Sequence, residues 1–269
     1  MVTARRIGWH QINAARILPT MAPFSYTDCP YPIRPTVAEV YRGSWNYLAR
    51  AGNWWTGSQR VAIAQACRDA QHCALCAQRK RALSPTDTGS SHGGATQLPD
   101  KVVDVVHRVT TDAARLSRAW LASAVTDDFG YGHYVETVSI VVTVLCIDSF
   151  HAALGLDLEP LPEPAAGAAS AYSPPGAVLE DAAWVPMLQP GSVSAKEADI
   201  FAGAPVAANV IRAMSLVPDA VRQLSAQMSA QYVNNPDLSD LTYTGDLTLT
   251  RPQIELVAAR TSAINDCFY

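Results

Sequence analysis

Apolar residues along this chain recur at helical spacing far more often than they alternate. In residues 101–111, Val102, Val105, Val106 and Val109 step by three, one and three, so a Val-rich segment is predicted as helix rather than strand. Residues 134–154 are apolar almost throughout, with Glu136, Asp148 and His151 as sparse polar points, and predict a helix buried on most sides and ended by Gly155. Residues 37–51 predict a helix broken by Gly52-Asn53. Residues 59–83 predict another, capped by Thr56 or Ser58 and stopped by Pro85, and residues 116–125 a shorter one. Further on, residues 207–215, 218–231 and 254–269 have helical character, with Pro218 and Pro252 at positions that suit helix starts.

Three stretches break this pattern. Residues 1–35, interrupted by Pro19, Pro23, Pro30, Pro32 and Pro35, predict an irregular arm that wraps or leads into the first helical unit. Residues 84–96, rich in Ser, Thr and Gly, predict a mobile loop, and residues 234–250 a polar turn. Residues 157–196 carry seven prolines among small residues, from Pro160 to Pro190, and read as a linker or a packed strap in which the domain boundary is placed. The expected organisation is therefore an N-terminal arm (1–35), a first helical unit (36–156), a Pro-rich linker (157–196) and a second unit (197–269), in an all-α fold.

Composition supports helix and narrows function. Half the residues are apolar and 16% charged, as in globular chains, and a net charge of −4 gives no bulk attraction to nucleic acid or an anionic membrane. The first eighteen residues build no signal-peptide core, since His10, Gln11, Asn13 and Arg16 interrupt them, and the most apolar run, 138–147, is too short to span a bilayer. The expectation is a soluble, cytoplasmic protein with small-molecule chemistry, no nucleic-acid partner and no membrane partner.

Chemistry concentrates in Gln71-His72-Cys73-Ala74-Leu75-Cys76-Ala77-Gln78-Arg79-Lys80-Arg81. On a continuous helix Cys73 and Cys76 would fall one turn apart on one face, and the cations that follow would favour a thiolate. The rival readings are two small residues that merely pack, and a zinc site. Zinc needs four ligands, and the sequence offers no second Cys-x-x-Cys and no His-x-His. A thioredoxin-type motif would need a βαβ context that is missing. His107, His133 and His151 could supply an imidazole, but nothing in the sequence brings them near a cysteine. Trp45, Trp54 and Trp55 could line an apolar pocket or pack in the core.

An offset of 194 residues aligns Cys73 with Cys267, Gln59 with Gln253 and Ala64 with Ala258. Residues 252–269, PQIELVAARTSAINDCFY, resemble the signature helix of the carboxymuconolactone decarboxylase-like superfamily, in particular its alkylhydroperoxidase D-like, peroxidase-related branch. There a Glu precedes a Cys-x-x-Cys pair by twelve residues and a His follows the second Cys by four. Glu255 and Cys267 match the Glu and the first Cys, and the second repeat is expected to be cut off within this helix. In the first half Cys73 and Cys76 match the pair, while Val61 and Lys80 stand where the Glu and His belong.

The resemblance implies two alkylhydroperoxidase-like helical repeats, the second incomplete, and a thiol-dependent peroxidase with Cys73, Cys76, Glu255 and Cys267 as candidate catalytic residues. It assigns attack on the peroxide to Cys76 and resolution to Cys73. Partners would be a hydroperoxide and a dithiol or protein reductant, with no metal, flavin or haem required, and homo-oligomerisation is left open. The alternative is a catalytically degenerate helical protein acting in assembly or partner binding.

Overall fold

The computed structural model describes residues 23–84, 91–93, 96–180, 183–201, 207–233, 237–245, 247–265 and 267. Among these residues regular structure is helical, with no β-strand: α1 (Pro35–Ala49), α2 (Gly57–Ala70), α3 (Ala74–Arg81), α4 (Asp100–Thr111), α5 (Arg118–Ala124), α6 (Tyr131–Leu154), the single turn α7 (Asn209–Arg212), α8 (Pro218–Gln231) and α9 (Arg251–Ile264). The all-α expectation holds. Most of the expected arm, residues 1–22, lies outside the described residues, as do 85–90, 94 and 95 of the expected loop, 234–236 and 246 of the polar turn, and Asp266, Phe268 and Tyr269 at the end of the signature segment.

Helix α6 is the axis of the bundle. It packs against α1, α2, α4 and α8, and α2 packs against α1 and α4. The main core is built from one face of each: Tyr41, Trp45 and Leu48 of α1, Ile63 and Cys67 of α2, Val102, Val105 and Val106 of α4, and Ile140, Val144 and Ile147 of α6. The helical spacing of the α4 valines is the face that enters this core. Phe24, from the end of the arm, is buried edge-on against Tyr41 and Trp45.

The apolar run 138–147 is only the middle of α6, and this corrects the length argument made for it. The whole helix has 24 residues and is long and apolar enough to cross a membrane by length and composition. Its surroundings give it another role. Its polar residues are buried and engaged: Asp148 accepts two hydrogen bonds from Arg68 of α2, each 2.8 Å, and Glu136 lies 3.5 Å from Arg60. Polar side chains that meet partners inside the protein are what a core helix carries.

Of the two readings of residues 157–196, the packed strap is the one observed. Ala165 N–H donates to Ala49 O, Ser170 N–H to Gly52 O and Ala171 N–H to Asn53 O, while Trp45 Nε1 donates to Pro160 O. The strap thus closes over the α1–α2 corner. Gly57 shows how tightly, since a Cβ there would meet Ala49 O at 2.2 Å and Ala165 O at 2.6 Å. Farther on, Met187 and Leu188 are buried in a second core with Leu121, Val135, Leu216, Val217 and Val221. Helix α8 packs on α1 and α6. The segment placed as a boundary therefore lies over the surface of the fold and sends Val185, Met187 and Leu188 inward, and residues on both sides of it share one core.

Candidate functional site

Residues 59–83 do not form the single helix expected. Helix α2 starts at a capping box, in which Thr56 Oγ1 accepts from Gln59 N–H and the Gln59 side chain accepts from Thr56 N–H. It closes at Ala70 through tight turns, with Gln71, His72 and Cys73 N–H donating to Arg68, Asp69 and Ala70 carbonyls. Cys73 then takes extended backbone (φ −73°, ψ 122°) and becomes the N-cap of α3. The cysteine pair sits at the corner between two helices, not on the face of one. This corner puts Cys73 and Cys76 at the positive end of the α3 dipole, which favours a thiolate.

The corner faces α4, and there the structure assembles what the sequence kept apart. Cys76 Sγ lies 3.3 Å from His107 Nδ1 of α4 and 3.8 Å from His92 Nδ1, and Cys73 Sγ lies 3.5 Å from His92 Nδ1. Ligand atoms of all four residues lie within 4.8 Å of one another. His92 is oriented from behind: its Nε2 is 2.9 Å from Asp104 Oδ1, and Arg79 in turn donates to Asp104. With Nε2–H donated to the carboxylate, Nδ1 faces the sulfurs, and in the protonated ring its N–H donates to the Cys73 thiolate.

Burial and hydrogen bonding make the two thiols unequal. Cys73 is half-buried and Cys76 buried. For Cys73, burial pushes the thiol up, but hydrogen bonds from His92 and from the Cys76 and Leu75 backbone more than offset this and bring it to about 7. For Cys76, burial and the neighbouring Cys73 sulfur push it to about 11. Burial lowers His92, but Asp104 and Cys73 overcome that and raise it, while Asp104, despite its own burial, is held at about 2 by His92 and Arg79. His107 is pushed down to about 4, first by burial and then by the nearby His92, so it is neutral at pH 7.

Two expectations need correction here. His107, one of three histidines that the sequence could not bring near a cysteine, is in contact with Cys76. The objection to zinc, too few ligands, also fails, because two histidines from residues 92 and 107 complete a set of four with the pair. His92 was not singled out from its Ser/Thr/Gly-rich surroundings. The other two candidate histidines lie outside this cluster. His133 packs on Trp54 and Trp55, and His151 lies 2.9 Å from Tyr26 Oη and 2.7 Å from Asp157 O. The tryptophans serve packing: Trp55 Nε1 donates to His133 O and Thr137 Oγ1.

The remaining candidates lie elsewhere. Glu255, on α9, accepts hydrogen bonds from Tyr232 Oη and Arg251 Nε, each 2.6 Å, and is not part of the cysteine–histidine cluster. Cys267 is exposed, past the end of α9. Lys80, in the expected His position, belongs to the last turn of α3.

Comparison of the chain with family models, with curated proteins and with solved structures gives no match. The site's chemistry therefore rests on its own geometry.

Proposed function

We propose that the protein is a thiol-dependent peroxidase that reduces hydroperoxides through the Cys73–Cys76 pair. The observation that carries this reading is the placement of both sulfurs in one cluster with His92, whose far nitrogen is held by Asp104. A thiolate, a nearby second thiol and an imidazole able to pass a proton are the parts such a reaction needs.

The surroundings favour the reverse of the order that the resemblance implies. Cys73, half-buried and with a thiol at about 7, is the better nucleophile, and buried Cys76 at about 11 the better resolving thiol. The Cys73 thiolate attacks the terminal oxygen of the hydroperoxide and the O–O bond breaks. The leaving alkoxide takes a proton from the His92 imidazolium, leaving an alcohol and a sulfenic acid. Cys76 attacks the Cys73 sulfur, water leaves, and a Cys73–Cys76 disulfide forms. An external dithiol or protein reductant returns two electrons and two protons. Glu255 and Cys267 have no part in this scheme.

The test is a thiol count and disulfide map of the reduced, chelator-treated protein after one equivalent of an organic hydroperoxide. Loss of two thiols to a Cys73–Cys76 bridge, abolished in Cys73→Ser, is the expected result. Unchanged thiols overturn the reading. In that case the assembly role takes its place, favoured by Leu256, Val257 and Ile264, which α9 leaves exposed, and concentration-dependent association in sedimentation would support it.

A further inference from the structure

The same four side chains form a donor set that the thiol reaction does not use in full. His107 has no role in proton transfer to a peroxide, yet it is buried at the cluster with Nδ1 aimed at Cys76 Sγ. We propose that the reduced protein binds one zinc ion through Cys73, Cys76, His92 and His107, and that hydroperoxide ejects the ion as the disulfide forms. The binding half stands on the ligand geometry alone, whereas the ejection half rests on the thiol-peroxidase reading.

The distances fit a tetrahedral ion. Bonds of about 2.3 Å to sulfur and about 2.0–2.1 Å to nitrogen, spread at the tetrahedral angle, put neighbouring sulfur and nitrogen ligands about 3.5–3.6 Å apart. Three of the four sulfur–nitrogen separations in the cluster are 3.5, 3.8 and 3.3 Å, and the fourth, Cys73 to His107, falls within the 4.8 Å that encloses all four ligand atoms. Both cysteines are free thiols, so neither sulfur is committed to a disulfide. Two sulfurs and two nitrogens in this arrangement suit zinc, while calcium and magnesium demand oxygen ligands.

The support around the ligands is also that of a metal site. Asp104 fixes the His92 ring through Nε2, leaving Nδ1 toward the sulfurs, and Arg79 fixes Asp104. A carboxylate behind a ligating histidine sets its tautomer and raises its basicity. Ligands come from the corner, from the segment after α3 and from the middle of α4, in the order Cys-x2-Cys-x15-His-x14-His. With four protein ligands the ion is closed to substrate, so it holds the corner together and masks the thiols rather than acting on a bound molecule.

Ejection balances. The zinc-bound thiolates of Cys73 and Cys76 give two electrons to the hydroperoxide, two protons are taken up, and the products are the disulfide, an alcohol, water and free Zn²⁺. Reduction by a dithiol regenerates the two thiolate ligands. The site thereby couples oxidation to release of a metal ion.

The experiment uses the full reduced chain, stripped with a chelator and titrated with Co²⁺ and then Zn²⁺. Expected are one equivalent bound, the intense visible bands of tetrahedral cobalt, a near-ultraviolet thiolate-to-cobalt band, and displacement by zinc. Cys76→Ser and His107→Ala should each lose tight binding, whereas Cys146→Ser, outside the cluster, should keep it. Asp104→Asn, a positioning change, should keep the thiolate band but weaken affinity about 10–100-fold. A pale octahedral spectrum without a thiolate band in the wild-type chain overturns the binding half, whether or not any variant folds. Peroxide added to the zinc form should release one zinc per disulfide, read with a zinc-sensitive dye. Zinc retained while thiols disappear overturns the ejection half. Zinc binding with inert thiols in the metal-free chain overturns the thiol reading while leaving the metal site standing, and disulfide formation without any metal binding does the opposite.

Discussion

At the scale of single residues, the cluster assigns separate work to side chains that look alike. Cys73 and Cys76 differ by one turn of chain, yet one thiol is near 7 and the other near 11. In the metal-free protein the rate of Cys73 alkylation should rise with pH through an apparent midpoint near 7. In Asp104→Asn, His92 loses the partner that keeps it charged, so the midpoint should move upward and the rate at pH 7 fall several-fold. Mass spectrometry of iodoacetamide-treated protein checks both.

His107 gives a second residue-scale prediction. Its folded value, about 4, lies below its ordinary value of 6.5, so neutral His107 favours the folded state. Between these values the unfolded chain binds the proton first. Metal-free protein should approach full stability above pH 6.5 and lose about 3 kcal/mol as the pH falls to 4. Urea midpoints across that range should show the slope, and His107→Gln should flatten it.

At the scale of elements, caps and spacing decide most boundaries. The Thr56–Gln59 capping box starts α2, Pro218 starts α8, Gly155 in the left-handed region (φ 68°) ends α6, and the stepped valines set α4. Pro218, Gly155 and the valine spacing were legible, and the cap of α2 was narrowed to Thr56 or Ser58, because each is a local preference of one or a few residues. Thr56→Ala should therefore lower stability by about 1 kcal/mol, read as a shift in the denaturation midpoint without a change in slope. The corner at Gln71–Cys73 was not legible. No Gly or Pro marks it, and what turns the chain is a set of partners on α4 and beyond. For the same reason the sequence showed the Cys-x-x-Cys pair but not its histidines: His92 and His107 reach it from 16 and 31 positions beyond Cys76. A periodicity argument cannot see a ligand set that only tertiary packing brings together.

At the scale of the whole molecule, the proline-rich strap is a surface segment anchored at a few points. It hydrogen-bonds across the α1–α2 corner and sends Met187 and Leu188 into the second core, so its prolines limit the freedom of a packed segment rather than space two units. Leu188→Ala should cost about 2–4 kcal/mol, a core penalty, where a linker residue would cost almost nothing. Calorimetry distinguishes the two, and the strap's anchoring in the core predicts that the loss appears in a single transition spanning both halves of the chain.

Helix α3 has only two buried residues along its length, Leu75 and Cys76. Its N-terminus is tied to α4 through the sulfurs and imidazoles, and its C-terminus is tied by Arg115, which donates to Ala82 O and Arg79 O. With Arg79 also donating to Asp104 of α4, it is held by a few polar ties rather than by a broad apolar face. Oxidation of the two sulfurs would therefore act on a helix with little buried apolar surface to resist displacement.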